Sequence, residues 1–186
     1  MPCGRARRRE AATLSLGGFI TEMARLRPAG PTQDALAGLI HDLVLSHELI
    51  EGHVCFQQDA YARNLVCRAA SFELLVLSWR PGQQTTIHDH DGALNAIRVH
   101  RGRLTSRLYT RGGEAGARLL GEQELAPGAL TSVGEDEAHQ LLNLSDRDLV
   151  TVHVYAPPLR DIVVYSTDGP GSERVHLRYS LGEDIE

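Results

Sequence analysis

Two histidines, His88 and His90, stand two residues apart behind a β-branched run of Thr85, Thr86 and Ile87. A strand repeats every two residues, so both imidazoles leave the same face of a sheet and converge. Neutral ring nitrogens aimed at one point suit iron, zinc, copper or nickel. An isolated pair of this kind arises by chance, and the surrounding spacing carries the argument. Gly82 lies six positions before His88, Asn95 five after His90, and Gly102 seven after Asn95.

The chain around this stretch reads as strands. From Cys55 onward, apolar runs are punctuated by Arg101-Gly102, Gly112-Gly113, Pro127-Gly128 and Ser145-Asp146 at hairpin-like intervals. Phe72 to Trp79 is almost continuously apolar, as in a strand covered on both faces, with Trp79 as core. Strands and turns without alternating helices predict a sandwich or barrel. The stretch 167–172 reads as a loop, and Arg174 to Tyr179 as a last strand. In Leu149 to Tyr155 the valines 150, 152 and 154 share one face, and Thr151, His153 and Tyr155 share the other. Such a polar face is either a solvated edge or the wall of an internal pocket; following a candidate metal strand, it reads as a pocket wall.

Before Cys55 the pattern is helical. Leu16, Phe19, Ile20, Met23 and Leu26 recur at helical spacing until the segment 28–31, Pro-Ala-Gly-Pro, stops them. Thr32 reads as the cap of a second helix, with Asp34 in its first turn and Leu36, Leu39, Ile40 and Leu43 as its stripe. His41, His47 and His53 read as surface or cap histidines. The expected layout is a basic tail over residues 1–12, then one domain over 13–186, with a helical cap about 13–52 and a barrel about 55–180.

A chain of 186 residues, 42% hydrophobic and 23% charged, can bury a substantial core. Its net charge of −5 offers no footprint for nucleic acid. No apolar window approaches a membrane span. Cys3, Cys55 and Cys67 are odd in number and lack metal-type spacing, which fits a reducing cytoplasm. The arginines at 5, 7, 8 and 9 precede an apolar run that Glu10 and Thr21-Glu22 interrupt, so an export signal is not expected. A monomer is the favoured state.

Spacing from Gly82 through His88, His90 and Asn95 to Gly102 resembles the first motif of the cupin barrel, except that most cupins carry a ligating Glu where Asn95 stands. His139, followed by Asn143, resembles part of the second motif and implies a third ligand; its Pro127-Gly128 turn lies further upstream than usual. Tyr61-Ala62-Arg63-Asn64-Leu65-Val66, His88-Asp89-His90 and the segment Thr151 to Pro158 are similar, in order, to segments of the cysteine dioxygenases and related thiol dioxygenases. The resemblance covers roughly residues 55–160.

It implies a mainly β cupin (jelly-roll) barrel holding Fe(II) on His88, His90 and His139, with dioxygen as co-substrate and a small thiol, L-cysteine first, as partner. Arg63, with Tyr61 beside it, would bind the substrate carboxylate. Tyr155 would aim its hydroxyl at the substrate or bound oxygen, His153 would orient Tyr155, and Thr151 would fix the His153 tautomer. Animal members carry, where Asn95 stands, a cysteine cross-linked to the tyrosine matching Tyr155, and bacterial members usually a glycine. Asn95 forms no thioether, so no Cys–Tyr cross-link is expected; its amide would line the substrate pocket and restrain Tyr155 by hydrogen bonding. The rival readings are a dioxygenase of another thiol, such as 3-mercaptopropionate, and a cupin that binds metal or senses a ligand without turnover. In the mercaptopropionate branch a Gln usually stands at the position of Arg63.

Overall fold

The computed structural model describes residues 13–27, 29–134 and 136–180; the expected basic tail, residues 1–12, lies outside them. Three helices lead the chain: α1 (Leu16–Arg25), α2 (Gln33–Asp42) and α3 (His47–Glu51). Each starts on a hydroxyl cap (Ser15, Thr32 or Ser46) whose oxygen accepts the backbone N–H three residues on. Phe19, Met23, Leu36, Ile40 and Leu43 are buried, and Ile20 is turned toward solvent. Among the described residues no helix is long and apolar enough to cross a membrane.

The strands are β1 (Ala62–Arg68), β2 (Glu73–Trp79), β3 (Ile87–Asp89), β4 (Leu94–Arg101), β5 (Leu104–Thr110), β6 (Leu119–Leu125), β7 (Leu130–Thr131), β8 (Glu137–Leu142), β9 (Leu149–Ala156), β10 (Asp161–Tyr165) and β11 (Ser172–His176). They pair antiparallel in two sheets, ordered β1-β2-β9-β4-β7 and β11-β10-β3-β8-β5-β6. The fold is mainly β, a cupin double-stranded barrel with a small helical part before it. The last strand ends at His176 rather than Tyr179, and residues 177–180 run on beside β1. There the Arg63 N–H donates to Ser180 Oγ at 3.0 Å and the Ser180 N–H to Arg63 O at 2.6 Å. Gly102 closes the β4–β5 turn at φ +86°, where an added Cβ would meet Asp148 O at 2.6 Å.

Register places the interior. Residues directly opposite in an antiparallel pair share a face. Tyr155, His153 and Thr151 on β9 lie opposite Glu73, Leu75 and Leu77 on β2, and opposite Asn95, Ile97 and Val99 on β4. Arg63 on β1 lies opposite Leu77. This whole set therefore points into the barrel, where Leu75, Leu77, Trp79, Ile97, Val99 and Tyr155 belong to one buried cluster. The other face carries Leu74, Ala96, Val152 and Val154, packed under Phe19, Met23, Leu36 and Ile40 of the helices. Strands β2 and β9 are buried along their full length, β2 as the apolar run at Phe72 to Trp79 predicts.

The helical layer is pinned by more than apolar contact. Arg98, opposite Val152 on the outer face of β4, sends Nη1 to Ile40 O at 2.9 Å and Leu43 O at 2.6 Å, satisfying carbonyls at the end of α2. Charge-assisted bonds of this kind contribute about 1.5–3 kcal/mol. Arg98→Leu should therefore lower the free energy of unfolding by about 2 kcal/mol in urea titration. An unchanged midpoint would mean that the helices dock through their apolar faces alone.

Candidate metal centre

Strand β3 and the residue after it deliver His88 and His90, and β8 delivers His139 directly opposite His88. One ring nitrogen from each lies within 4.8 Å of the others, and all three side chains are buried. His139 Nε2 and His90 Nε2 approach to 3.2 Å. His88 Nδ1 lies 2.9 Å from Thr86 O, and a carbonyl only accepts, so Nδ1 carries the proton and the Nε2 lone pair is free. Burial pushes the His88 pKa down to about 4, with the positive charge of Arg63 adding to it. Burial also holds His90 and His139 well below the usual histidine range, as do the neighbouring histidines. Three neutral, converging, buried imidazoles form a donor set that fits a divalent first-row metal.

Asp89, between the two histidines, points to the opposite face. Its Oδ2 accepts from Tyr165 Oη at 2.6 Å and pairs with Arg111 Nε at 2.8 Å, while Oδ1 accepts the Asp91 N–H at 2.8 Å. The HDH stretch is thereby tied to β10 and to the loop after β5. Burial and this carboxylate push the Tyr165 phenol up to about 12. A cavity of about 280 Å³ reaches His139 past Ser106, Leu108 and Thr131.

On the facing sheet the polar side chains of β9 form a chain with a defined direction. Trp79 Nε1 donates to Thr151 Oγ1 at 2.9 Å; Thr151 Oγ1 is 2.8 Å from His153 Nε2; His153 Nδ1 is 3.1 Å from Tyr155 Oη. Indole N–H only donates, so Thr151 Oγ1 accepts from Trp79; a threonine proton given to His153 Nε2 leaves His153 Nδ1–H to donate to the phenol oxygen. In that arrangement Tyr155 keeps its own proton. Burial drives His153 down to about 3, with Arg63 adding to it, which keeps the ring neutral as this chain requires. Burial raises the Tyr155 phenol, and Arg63, 5.9 Å from the ring centroid, opposes that shift. The Tyr155 ring sits 5.2 Å from that of His90.

The remaining expected residues fall as follows. Tyr61 stacks on Trp79 with centroids 4.3 Å apart, beside Arg63. Arg63 is 6% exposed, and its Nε and Nη2 have no hydrogen-bond acceptor among the described residues. Asn95 faces the interior opposite Tyr155, yet its Oδ1 accepts the Val133 N–H at 3.0 Å and its Nδ2 is buried without a partner. The expected hydrogen bond to the Tyr155 hydroxyl is not formed; the amide oxygen serves the loop before β8 instead. Asn143 serves the turn after β8, donating to Trp79 O at 3.2 Å and Arg147 O at 2.8 Å. Cys55 and Cys67 are both free thiols.

Two participants were not singled out from the sequence. Trp79 is core, as expected, and is also the first donor of the β9 chain. Glu73 is wholly buried, with Oε1 3.6 Å from Arg63 Nη2. Its only sequence signal is a carboxylate at the head of an apolar strand.

Comparison with known proteins follows the same lines. Residues 46–168 match the family model described as cysteine dioxygenase type I. Cysteine dioxygenase type 1 of Danio rerio is 28% identical over 111 residues, 56% of this chain and 55% of that protein. The Homo sapiens enzyme of the same name is 27% identical over 108 residues, 55% of this chain and 54% of that one. The chain thus spans about half the length of the curated relatives it matches. Among solved structures, the protein TT1209 of Thermus thermophilus aligns with a TM-score of 0.50 at 19% identity, covering 58% of this chain and 93% of that one. That likeness concerns the fold.

Protonation of the buried imidazoles sets a pH dependence. His88 titrates near 4 and His153 near 3 when folded, against 6.5 when exposed. Between those values the unfolded chain binds protons that the folded one excludes, so stability falls as pH drops below about 6.5 and is independent of these groups above it. Urea unfolding of the metal-free protein should show a lower midpoint at pH about 5 than at about 7.5. Equal midpoints would mean that water reaches the rings.

Proposed function

The chain belongs to the cysteine dioxygenase type I family, and on that premise we propose that it is a non-haem iron thiol dioxygenase, with L-cysteine as substrate and cysteine sulfinic acid as product. The reading rests on one observation above all. Three neutral buried imidazoles and an arginine with unused donors belong to the same interior.

His88, His90 and His139 would hold Fe(II). With no carboxylate among the donors, the full charge of the ion is left for a thiolate. Iron held in this way supplies the redox chemistry that lets a thiolate and dioxygen react despite the spin barrier. The overall conversion of thiol and dioxygen to sulfinic acid is balanced without any further reductant. The protein's own part is to bind, orient and exclude water. Arg63 receives the substrate carboxylate on its Nε and Nη2, whose geometry matches a carboxylate. Tyr155 turns its hydroxyl proton toward substrate or oxygen, because His153 already donates to the phenol oxygen. Thr151 and Trp79 hold that direction. Asn95 stands where a cross-linking cysteine would be needed, so Tyr155 works as a free phenol.

Oxygen uptake by the iron-loaded protein over a panel of L-cysteine, cysteamine and 3-mercaptopropionate tests the proposal. No uptake with any of them would leave a metal-binding cupin without this activity. Arg63→Ala should cost about 2–4 kcal/mol in kcat/KM with cysteine, and much less with cysteamine, which has no carboxylate. Equal losses for both thiols would make Arg63 a structural residue.

A further inference from the structure

Glu73 is an unusual neighbour for an arginine meant to receive an anion. It lies on β2 directly opposite Tyr155, is wholly buried, and approaches Arg63 Nη2 to 3.6 Å. That separation is long for a hydrogen-bonded ion pair. The cause lies on the carboxylate side. Glu73 Oε1 accepts the Leu159 N–H at 3.2 Å, and Oε2 accepts the Tyr179 hydroxyl. Tyr179 is carried there by the segment that pairs Ser180 with the backbone of Arg63. Glu73 is thus held back from Arg63. It is near enough to compensate a buried cation, which would be costly alone, and too far to occupy the donors on Nε and Nη2.

We propose that Glu73 is the specificity residue of this site: it cancels the charge of Arg63 while leaving its donors open, so that the cavity selects a zwitterionic aminothiol acid over a thiol carboxylate that lacks the amine. The inference rests on the thiol dioxygenase reading for its class of substrate. An arginine alone would attract any carboxylate, and the more strongly the greater the ligand's net negative charge. The Arg63–Glu73 pair presents oriented donors with little net charge. It therefore binds a carboxylate by geometry, and it does not penalise an ammonium group on the same ligand. Glu73 itself touches no substrate atom; it is a positioning residue acting through Arg63.

The test compares cysteamine, L-cysteine and 3-mercaptopropionate, which differ in net charge by one step each. Each is titrated calorimetrically and without oxygen into Fe(II)-loaded wild-type protein and into Glu73→Gln, which keeps the volume and an acceptor. The variant should bind 3-mercaptopropionate more tightly and cysteamine more weakly, with a change on the order of tenfold per unit of ligand charge. Tyr179→Phe, which releases the carboxylate toward Arg63 without removing its charge, should weaken L-cysteine and 3-mercaptopropionate alike and leave cysteamine nearly unchanged. Should Glu73→Gln fail to fold, Glu73→Asp withdraws the charge by one methylene and should shift the order the same way by a smaller factor. A uniform change for all three thiols would make Glu73 a purely structural residue, and wild-type protein that binds none of them would equally overturn the proposal. Admitting air to the same samples separates the two readings. Charge-graded binding without oxidation removes the dioxygenase and leaves Glu73 its role, while oxidation with charge-blind binding does the reverse.

Discussion

Strand β9 runs between β2 and β4, paired along both edges and buried on both faces. A slip of one residue would turn Thr151, His153 and Tyr155 out under the helices and bring three valines into the cavity. Apolar burial of Val152 and Val154 against the helical layer is therefore what holds the polar residues inward. The same register sets Glu73 and Asn95 on either side of Tyr155 and brings Arg63 in from β1. The opposite sheet meets this wall with the imidazoles of β3 and β8.

Burial does the electrostatic work on both walls. It removes protons from His88, His90 and His139, freeing lone pairs, and from His153, leaving a neutral ring with one donor and one acceptor between Thr151 and Tyr155. It raises the Tyr155 phenol, so that residue remains a proton donor. Among the described residues Arg63 is the buried cation, and Glu73 is its compensation. A low-dielectric interior that holds a cation needs such a balance, since an uncompensated buried charge is costly.

Much of this was legible in the sequence because strands report through a period of two. His88 and His90 shared a face by count alone, and so did Thr151, His153 and Tyr155. Thr32 announced α2 through its capping chemistry. Pairing across strands has no such local signal. That Glu73 lies opposite Tyr155, and that Val133 takes the Asn95 oxygen, follow from register and from the loop before β8. Trp79 read as core and is core, but its N–H partner lies 72 positions away on β9. Tyr179 read as the end of a strand. It lies beyond β11, in a segment whose course is set by contacts with β1.

A thiol dioxygenase inserts both atoms of dioxygen into its thiol. Iron-loaded protein turned over with L-cysteine under isotopically heavy dioxygen in ordinary water, followed by mass spectrometry of the product, addresses that directly. The expected product is a sulfinic acid in which both oxygen atoms carry the label. Cystine and hydrogen peroxide in place of labelled sulfinate would contradict it, since they would show that the site merely passes electrons from thiol to oxygen.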